Sequence, residues 1–224
     1  PSFRHDHMNM AHNIAERLLD IQAVKLNPSH PFTWASGMRS PVYCDNRRAL
    51  AHPDFRNQIA TGLCDLVASI QDCGAIAGVA TAGIAWGALL AHETGLPFCY
   101  IRSKPKDHGL KNRIEGQLEV GSRVVVVEDL ISTGKSSLEA CNALIEEGMD
   151  VLAVVSIFQY GFAQTKAQFE QRGLKFFSLC SFSELLERAL QRKSITSTEF
   201  EELMSWNQDP AGWSQSFLAQ KAGI

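Results

Sequence analysis

The stretch VVVVEDLISTGKSS, which runs from Val124 to Ser137, is the most informative part of this chain for its fold. Its four consecutive valines are β-branched and apolar, and such a run predicts a strand, Arg123–Val127, that is buried on both faces of a sheet. The strand runs into two carboxylates, Glu128 and Asp129, and then into small, mostly hydroxylated residues that lead to a helix start. Ligands of open α/β sheets bind at the carboxyl ends of strands, and the N–H groups of a helix start suit a phosphate dianion. This order of residues therefore predicts a site for a phosphorylated ligand.

Two kinds of phosphate site compete for this stretch. Gly134-Lys135-Ser136 matches the end of a nucleotide triphosphate loop, but that motif requires a Gly five positions before Gly134. Asp129 stands there, and a carboxylate in a polyphosphate cradle would repel the ligand. An acidic pair before a monophosphate loop instead suits ribose hydroxyls or a bound Mg²⁺. The plainer alternative is a strand that ends in a solvated acidic turn, and the ordered set of strand, acid pair, hydroxyl loop and helix favours the site over that alternative.

Strands and helices alternate on both sides of this stretch. Apolar runs predict strands at Ala75–Ala80, Pro97–Arg102, Arg123–Val127, Val151–Phe158 and Lys175–Leu179. Apolar periodicity predicts helices at Asp54–Ile70, in an Ala/Leu-rich segment through His92, and at 136–147, 163–172 and 183–191. This alternation predicts an α/β fold with a central, mostly parallel sheet flanked by helices.

The two ends of the chain add less regular segments. Residues 9–26 have the pattern of an opening helix, and the turn-rich segment 31–48 favours a short hairpin. Near the end, Thr198 with Glu201 resembles a capping box that opens a helix to about Trp206. We expect one domain over residues 1–224, with a helix and small N-terminal hood at about 9–50, an α/β core at about 51–190 and a C-terminal helical extension at 194–224.

Composition narrows the class of protein. The chain has 224 residues, 45% of them hydrophobic and 20% charged, and a formal charge of −3, which excludes whole-chain disorder and gives no global attraction to nucleic acid. No apolar run is long enough to span a membrane, and no secretory leader is visible at the start, so we expect a cytoplasmic protein with no membrane partner. The six cysteines show no zinc spacing, and we expect most of them to be small buried residues.

One segment departs from this acidic balance. Residues 102–116 hold five Lys or Arg against two acids, a formal charge of +3. A loop of this length inside a domain is usually functional or disordered, and its charge suits a lid that closes over a polyanion. A solvated charged loop is the plainer alternative. RNA binding is a third, although the loop has no aromatic residue for base stacking.

These residues carry a family resemblance. VVVVEDLISTGKSS resembles the phosphoribosyl-pyrophosphate (PRPP) motif of the type I phosphoribosyltransferases. The loop SKPKDHG, residues 103–109, is similar to the catalytic loop of the orotate phosphoribosyltransferases, and PFTWASGMRSPVYCDNR, residues 31–47, is similar to the N-terminal motif of that family. The three signatures occur in the family's order, and the resemblance spans roughly residues 10 to 185.

The resemblance implies transfer of ribose 5-phosphate from PRPP to N1 of orotate, which releases pyrophosphate. It implies catalytic roles for Arg102, Lys106, Asp107 and His108. It implies contacts to PRPP by Arg102, Lys106, His108, Glu128, Asp129, Leu130, Ile131, Ser132, Thr133, Gly134, Lys135 and Ser136. Orotate would contact Ser132, Ser36, Gly37 and the aromatic Tyr43, with Trp34 or Phe32 as alternative walls or core residues. The implied cofactor is Mg²⁺ bound through PRPP, with Asp129 as the nearest carboxylate, and the implied assembly is a homodimer that shares its loop between subunits.

The chain departs from the family pattern at several positions. A frequent loop Lys is Ser103 here, with Lys104 next to it. Frequent Lys residues before the Ser-Gly of the N-terminal motif and after the second strand are Ala35 and Ala82, and a family Arg that helps to bind orotate aligns near Gln159. These contacts are not carried over, and Arg39 is a candidate for holding the orotate carboxylate.

Two other functions remain open from the sequence. A purine or other pyrimidine phosphoribosyltransferase would share the PRPP motif. A PRPP-sensing regulator would keep the site without turnover and would carry a nucleic-acid-binding module, but neither the opening helix nor the 31–48 segment shows a basic recognition face.

Overall fold

The structure is a computed structural model that describes residues 2–104 and 113–222, with side chains over 9–104 and 113–221. The helices are α1 (Ser2–Asp20), α2 (Pro53–Ala68), α3 (Ala82–Thr94), α4 (Lys135–Glu146), α5 (Ala163–Gln171), α6 (Phe182–Gln191), α7 (Ser197–Gln208) and α8 (Pro210–Ala222), with a 3₁₀ helix at Asn46–Ala51. The strands are β1 (Val24–Leu26), β2 (Phe32–Thr33), β3 (Arg39–Ser40), β4 (Val42–Cys44), β5 (Ala75–Val79), β6 (Phe98–Ile101), β7 (Ile114–Glu115), β8 (Arg123–Ile131), β9 (Asp150–Gln159) and β10 (Phe176–Ser181). None of the described helices is both long and apolar enough to cross a bilayer.

A six-stranded sheet forms the centre of the fold, in the order β10-β9-β8-β5-β6-β7. All neighbouring strands pair in parallel except the short β7, which pairs antiparallel with β6. The predicted α/β fold with a mostly parallel sheet flanked by helices is therefore confirmed. The strand order places β8 in the interior of the sheet, between β9 and β5.

The valine run of β8 explains why this strand is central. Val125 and Val127 belong to the hydrophobic cluster on one face of the sheet, and Val124 and Val126 belong to the cluster on the other. All four side chains are fully buried. Because side chains alternate along a strand, a continuous apolar run is what a sheet covered on both faces requires.

The opening helix ends earlier than the sequence predicts. α1 stops at Asp20, and Gln22 takes a left-handed φ of 56°, after which the chain turns into β1. The apolar Val24 continues the helical pattern in sequence, but it pairs antiparallel with Cys44 of β4 instead. The prediction of a helix through residue 26 is wrong at that end, because a tertiary strand pairing outweighs local periodicity.

Two short strand pairs build the hood, defined here as residues 24–46. β2 and β3 form the short hairpin that the sequence favours, and β1 pairs with β4 beside it. The indole Nε1 of Trp34 donates to the carbonyl oxygen of Val42 at 3.0 Å, which ties the hairpin to β4. The hood therefore stands as one unit over the sheet.

The C-terminal capping box lies two residues earlier than predicted. Thr196, not Thr198, is the N-cap of α7, and it exchanges hydrogen bonds with Glu199, not Glu201. α7 places Trp206 in the core, where its ring meets Trp34 edge to face with 5.9 Å between centroids. The C-terminal helices thus pack against the hood. The division of the chain at about residues 50 and 194 stays a prediction.

Candidate active site

The acidic pair lies within β8 rather than after its end. β8 continues to Ile131, since Glu128 pairs with Ser156 of β9. The prediction that the strand ends at Val127 is four residues short. Glu128 and Asp129 are consequently held by the ladder of the sheet, close to its carboxyl edge.

Burial gives this pair an unusual electrostatic state. Glu128 is 5% exposed, and its carboxylate accepts hydrogen bonds from Ser137 Oγ at 3.4 Å and from the backbone N–H of Asp129 at 3.2 Å. Burial raises the pKa of the Glu128 carboxyl well above its ordinary value, and the neighbouring Asp129 charge adds to the rise. Burial also raises the pKa of the Asp129 carboxyl. Two close carboxylates in a low-dielectric site favour hydroxyl donors or a cation as ligands.

The hood contributes a contact to this pair that sequence reasoning missed. Asn46 is fully buried, and its side-chain amide donates to the backbone oxygen of Asp129 at 2.8 Å. The thiol of Cys44 donates to the Asn46 amide oxygen at 3.3 Å. The only signal in the sequence was the place of Asn46 in the 31–47 motif, since nothing local indicates that this polar residue is buried.

The predicted phosphate loop connects β8 to α4. Gly134 caps the helix with a left-handed φ of 77°, a conformation that glycine adopts at no steric cost. Thr165 Oγ1 donates to the backbone oxygen of Ser132 at 2.8 Å, and this hydrogen bond attaches the loop to α5. Three polar side chains of the loop and first helical turn are exposed: Thr133, Lys135 and Ser136. Backbone N–H groups at a helix start suit a phosphate, and the role of this loop in binding one stays a prediction.

Two predicted PRPP contacts, Leu130 and Ile131, separate in the structure. Leu130 is half-buried and faces the hood, whereas the Ile131 side chain is 1% exposed and packs in the core beneath α4. The backbone oxygen of Ile131 accepts from the N–H of Tyr160 at 3.1 Å. The Ile131 side chain is therefore directed away from the site.

A cavity of about 260 Å³ lies between the hood and the end of β8, and we call it the hood cavity. It is lined by Thr33, Trp34, Ala35, Tyr43, Cys44, Leu130, Ser132 and Tyr160. The predicted base contacts Tyr43 and Ser132 both lie in its wall. Sequence reasoning missed Thr33, Cys44 and Tyr160. Tyr160 is buried and contacts Trp34 with 5.9 Å between ring centroids.

The other two predicted base contacts do not line the hood cavity. Ser36 and Gly37 are exposed at the tip of the β2–β3 hairpin, where Gly37 has a φ of 83°. Ser36 Oγ accepts from the N–H of Met38 at 3.4 Å, which closes the turn. The Ser-Gly pair therefore shapes the hairpin in this structure, because its small residues suit the turn.

A groove of about 450 Å³ lies at the other end of the carboxyl edge, and we call it the cationic groove. It is lined by Ala80, Thr81, Tyr100, Arg102, Ser103, Lys104 and Glu115. Arg102 Nη1 lies 3.5 Å from Glu115 Oε1. The guanidinium of Arg113 donates to the backbone oxygens of Arg102 at 3.0 Å and Ser103 at 3.2 Å. The predicted catalytic residues Lys106, Asp107 and His108 fall in 105–112, outside the described residues.

The positions at which the chain departs from the family pattern lie in different parts of the structure. Ala35 lines the hood cavity, and Ala82 is the first residue of α3. Gln159 lies in a separate cavity of about 390 Å³ beside Phe176 and Phe177, at the edge of the sheet. Gln159 is therefore not among the residues that line the hood cavity.

The mostly parallel sheet, with an acid pair near the carboxyl end of β8 and a glycine-capped helix start after it, defines the class of protein as a phosphoribosyltransferase. The family profile for the phosphoribosyl transferase domain matches residues 58–175, more than half of the chain. The chain belongs to the orotate phosphoribosyltransferase family. Orotate phosphoribosyltransferase from Bacillus subtilis is 50% identical over 88% of this chain and 92% of its own length.

Solved structures agree with this assignment. The crystal structure of orotate phosphoribosyltransferase from Aeropyrum pernix matches with a TM-score of 0.66 at 28% identity, over 78% of this chain and 98% of that one. The orotate phosphoribosyltransferase of Mycobacterium tuberculosis in complex with PRPP matches with a TM-score of 0.63 at 25% identity, over 79% and 98% of the two chains.

Proposed function

We propose that this chain transfers ribose 5-phosphate from PRPP to N1 of orotate, giving orotidine 5′-monophosphate and pyrophosphate in pyrimidine nucleotide biosynthesis. One observation carries the proposal: Ser132 belongs both to the phosphate loop and to the wall of the hood cavity. A ribose phosphate held by the loop and a planar base held in the cavity would therefore be adjacent. Holding two reactants in contact is itself a large part of catalysis.

The phosphate loop and acid pair would hold the sugar. Ser132, Thr133, Gly134, Lys135 and Ser136 would bind the 5-phosphate through hydroxyls, the lysine and backbone N–H groups of the helix start. Glu128 and Asp129 would accept hydrogen bonds from the ribose hydroxyls, and Leu130 would contact the sugar from the hood side. Ile131 would contribute only through its backbone.

The hood cavity would hold the base. Trp34 and Tyr160 contact each other with their rings tilted by 37° and form one wall, and Tyr43, which is 40% exposed, also lines the cavity. Aromatic faces suit a planar ring, and Ser132 Oγ supplies a donor or acceptor at its edge. Ser36 and Gly37, at the hairpin tip, would reach the base only after a change of the hairpin.

The cationic groove would receive the pyrophosphate. Cleavage of the bond from C1 to oxygen develops negative charge on the leaving group, and cations aimed at that charge lower the barrier. Arg102 and Lys104 line the groove. We propose that Lys106 and His108 complete this set, and that Asp107 assists proton movement or orients the loop.

Mg²⁺ is the proposed cofactor. The described residues contain no group of three or more His, Cys, Asp or Glu side chains that could hold a metal ion. The two neighbouring carboxylates, Glu128 and Asp129, fit Mg²⁺, which is usually bound by one or two carboxylates together with substrate phosphates. Asp129, with its half-buried hard oxygen donors, is the residue that would hold the ion beside PRPP. When bound, the ion would neutralise the pyrophosphate charge.

The proposed assembly is a homodimer in which the 102–116 loop of one subunit reaches the site of the other, as the family resemblance implies. The cytoplasmic location expected from the sequence belongs to the same proposal. No nucleic acid partner is proposed, since the net charge and the composition of the 102–116 loop give no support for one.

A panel of bases tests the substrate. The chain is incubated with PRPP and Mg²⁺ and with orotate, uracil or hypoxanthine in turn, and nucleotide formation is followed by chromatography. Orotate is expected to react at least about 100-fold faster than the other bases, because a site built for polar groups rejects analogues that lack them. Faster reaction of hypoxanthine or uracil would assign the chain to another branch of the phosphoribosyltransferases. A regulator without turnover would form no nucleotide from any of them.

A further inference from the structure

The hood cavity offers no charged side chain to an anionic base. Its described lining consists of neutral residues: Thr33, Trp34, Ala35, Tyr43, Cys44, Leu130, Ser132 and Tyr160. Orotate carries a carboxylate, and a carboxylate taken from water into an apolar cavity needs a charged or multiply hydrogen-bonded partner. The partner must therefore lie just behind the lining or come from outside the described residues.

Arg39 is the cation directly behind the lining. In the β2–β3 hairpin, Arg39 is the cross-strand partner of Thr33, so the two side chains lie on the same face. Arg39 Nη1 donates to the hydroxyl of Thr33, which itself lines the hood cavity. One side-chain contact thus separates the guanidinium from the cavity.

The charge of Arg39 is available to a ligand. Within the part of the chain that the structure describes, no carboxylate oxygen lies within 4.0 Å of its guanidinium. Arg47, another cation of the 31–47 motif, is already paired with Asp45 at 2.7 Å. A guanidinium bonded to a neutral hydroxyl can take up a carboxylate with two parallel hydrogen bonds without first breaking an ion pair.

The C-terminal helices hold the backbone of this arginine. The N–H of Arg39 donates to Ser214 Oγ of α8 at 2.9 Å, and Ser214 is 5% exposed. In the same region Asn207 of α7 donates to the backbone oxygen of Tyr160 at 2.7 Å. α7 therefore holds a wall residue of the hood cavity and α8 holds the arginine behind the wall, across more than 45 positions of sequence in each case.

We propose that Arg39 is the specificity-determining cation that binds the carboxylate of the base, and that Ser214 is its positioning residue. This inference rests on the proposed function, since it concerns how the same site recognises orotate. It assigns the carboxylate contact to the hood, since the described lining of the hood cavity holds no charged side chain. It also gives the C-terminal extension a part in substrate recognition.

Two nucleotides isolate the carboxylate contact. Orotidine 5′-monophosphate and uridine 5′-monophosphate differ only in that group, so the ratio of their dissociation constants, measured by calorimetry, reports its binding. The intact chain is expected to bind the carboxylated nucleotide more tightly. In Arg39→Gln the ratio should fall about 10- to 100-fold, the loss expected for a hydrogen bond to a charged group. Arg39→Lys should restore part of it.

Matched variants separate this role from general damage. Ser214→Ala should lower the ratio by about 3-fold or more with the fold retained by circular dichroism, because the arginine loses a backbone anchor. Ser216→Ala, an exposed serine on the same helix, should leave the ratio unchanged. Arg47→Gln should also leave it unchanged, since effects on the shared ribose phosphate cancel.

Three results would overturn the inference: an unchanged ratio in Arg39→Gln, a ratio that falls in Arg47→Gln instead, or no preference in the intact chain. An unchanged ratio in Ser214→Ala would remove the positioning role alone. If the intact chain makes orotidine 5′-monophosphate from orotate and PRPP, any of these outcomes counts against Arg39 and not against the proposed function. If it makes none, the proposed function itself fails.

Discussion

Asn46 and Asp129 lie 83 positions apart in sequence, yet the side-chain amide of Asn46 donates to the backbone oxygen of Asp129 at 2.8 Å. The contact joins the end of the hood to the strand that carries the acid pair. Burial and the neighbouring carboxylates raise the pKa of the Cys44 thiol, which favours its protonated form. The protonated thiol donates a hydrogen bond to the Asn46 amide oxygen. Both ends of the amide are therefore engaged, and its orientation is fixed.

Asn46→Ala should destabilise the protein and loosen the sugar site together. Removing one partner of a buried hydrogen bond costs about 1–3 kcal/mol, here by leaving the Asp129 carbonyl without its donor. Urea denaturation should show that loss, and the KM for PRPP should rise more than the KM for the base. Asn57→Ala, at an exposed position of α2, is the control and should change neither quantity. A stable variant with an unaltered KM for PRPP would remove the contact from this account.

Gly134→Ala should distort the phosphate loop. A Cβ there would lie 2.8 Å from a ring carbon of Phe169 and 3.1 Å from the methyl group of Thr165, in addition to the strain of a φ of 77°. The left-handed backbone alone costs an alanine about 1–2 kcal/mol, and overlap in a packed region adds about 1–3 kcal/mol. Gly161→Ala is the matched control, because its φ is 70° with open space around the added atom.

The two glycine variants should therefore differ in kind. In Gly161→Ala the free energy of unfolding, measured by urea denaturation, should fall only by the backbone cost, and the affinity for PRPP should be unchanged. Gly134→Ala should lose more and bind PRPP weakly, since Thr165 also holds the Ser132 backbone oxygen. Equal losses in both variants would mean that Phe169 and Thr165 do not constrain the loop.

Glu128 should make the protein less stable as pH rises. Its pKa is raised in the folded state by burial, so over the pH range from its ordinary value of 4.5 up to the raised value the folded protein binds more protons than the unfolded chain. Stability falls with pH wherever the folded state binds more protons, so the destabilisation develops through that range and is complete above it.

Glu128→Gln should remove this part of the pH dependence, because the amide stays neutral. Its stability relative to the unsubstituted chain should increase as pH rises above 4.5, the ordinary pKa of this carboxyl, while PRPP binding weakens through the loss of a ribose acceptor. Glu119→Gln, an exposed carboxylate, controls for the change in net charge. Parallel stability curves for Glu128→Gln and the unsubstituted chain would contradict the assigned state of this carboxyl.

Lys106→Ala should fold normally and lose most of its turnover. We expect kcat to fall about 100-fold or more, the loss typical of removing one group that stabilises transition-state charge. Lys166→Ala, an exposed lysine on α5, should keep full activity. Near-normal steady-state turnover of Lys106→Ala with orotate and PRPP would remove the lysine from the catalytic set.

Mixing two inactive variants tests whether the loop acts in the partner's site. Lys106→Ala and Asp129→Asn are each expected to be inactive. Random hybrid dimers would contain one site with both an intact loop and an intact acid pair, so a 1:1 mixture should regain about a quarter of normal activity. Absence of any regain after subunit exchange would show that each loop serves its own subunit.

Local patterns predict the parts of this fold that depend on local residues. The run from Val124 to Val127 specifies a strand covered on both faces, because only apolar side chains tolerate burial on alternating sides. Gly134 and the hydroxyls around it likewise indicate a loop at a helix start. In these places one short segment contains the whole physical reason for its structure.

Contacts between distant segments explain what the sequence alone did not predict. Val24 continues a helical pattern in sequence, but it pairs as a strand residue with Cys44, a contact that the residues next to Val24 do not indicate. Thr196 and Thr198 both precede a Glu by three residues, so the local pattern does not distinguish them, and the structure uses Thr196. Asn46 is of the same kind, since its burial depends on the hood closing over β8.

Some residues of the candidate site could be predicted from local motifs, and others only from contacts between distant segments. Ser132 and Tyr43 were predicted because their motifs have recognisable chemistry, and both line the hood cavity. Ser36 and Gly37 belong to the same motif but serve the hairpin turn, a distinction that requires the backbone. Tyr160 follows β9 and carries no motif of its own, so only the meeting of hood and sheet brings it to the cavity.

We propose that one edge of the sheet joins a ribose phosphate site to a base site for orotate. The most direct measurement is the simultaneous quantification of orotidine 5′-monophosphate and pyrophosphate after incubation with orotate and PRPP, with Mg²⁺ and with excess chelator. If the two sites are joined in this way, equal amounts of the two products should form, and both products should be lost with chelator and in Asp129→Asn. Pyrophosphate release without the nucleotide, or full activity in Asp129→Asn, would contradict it.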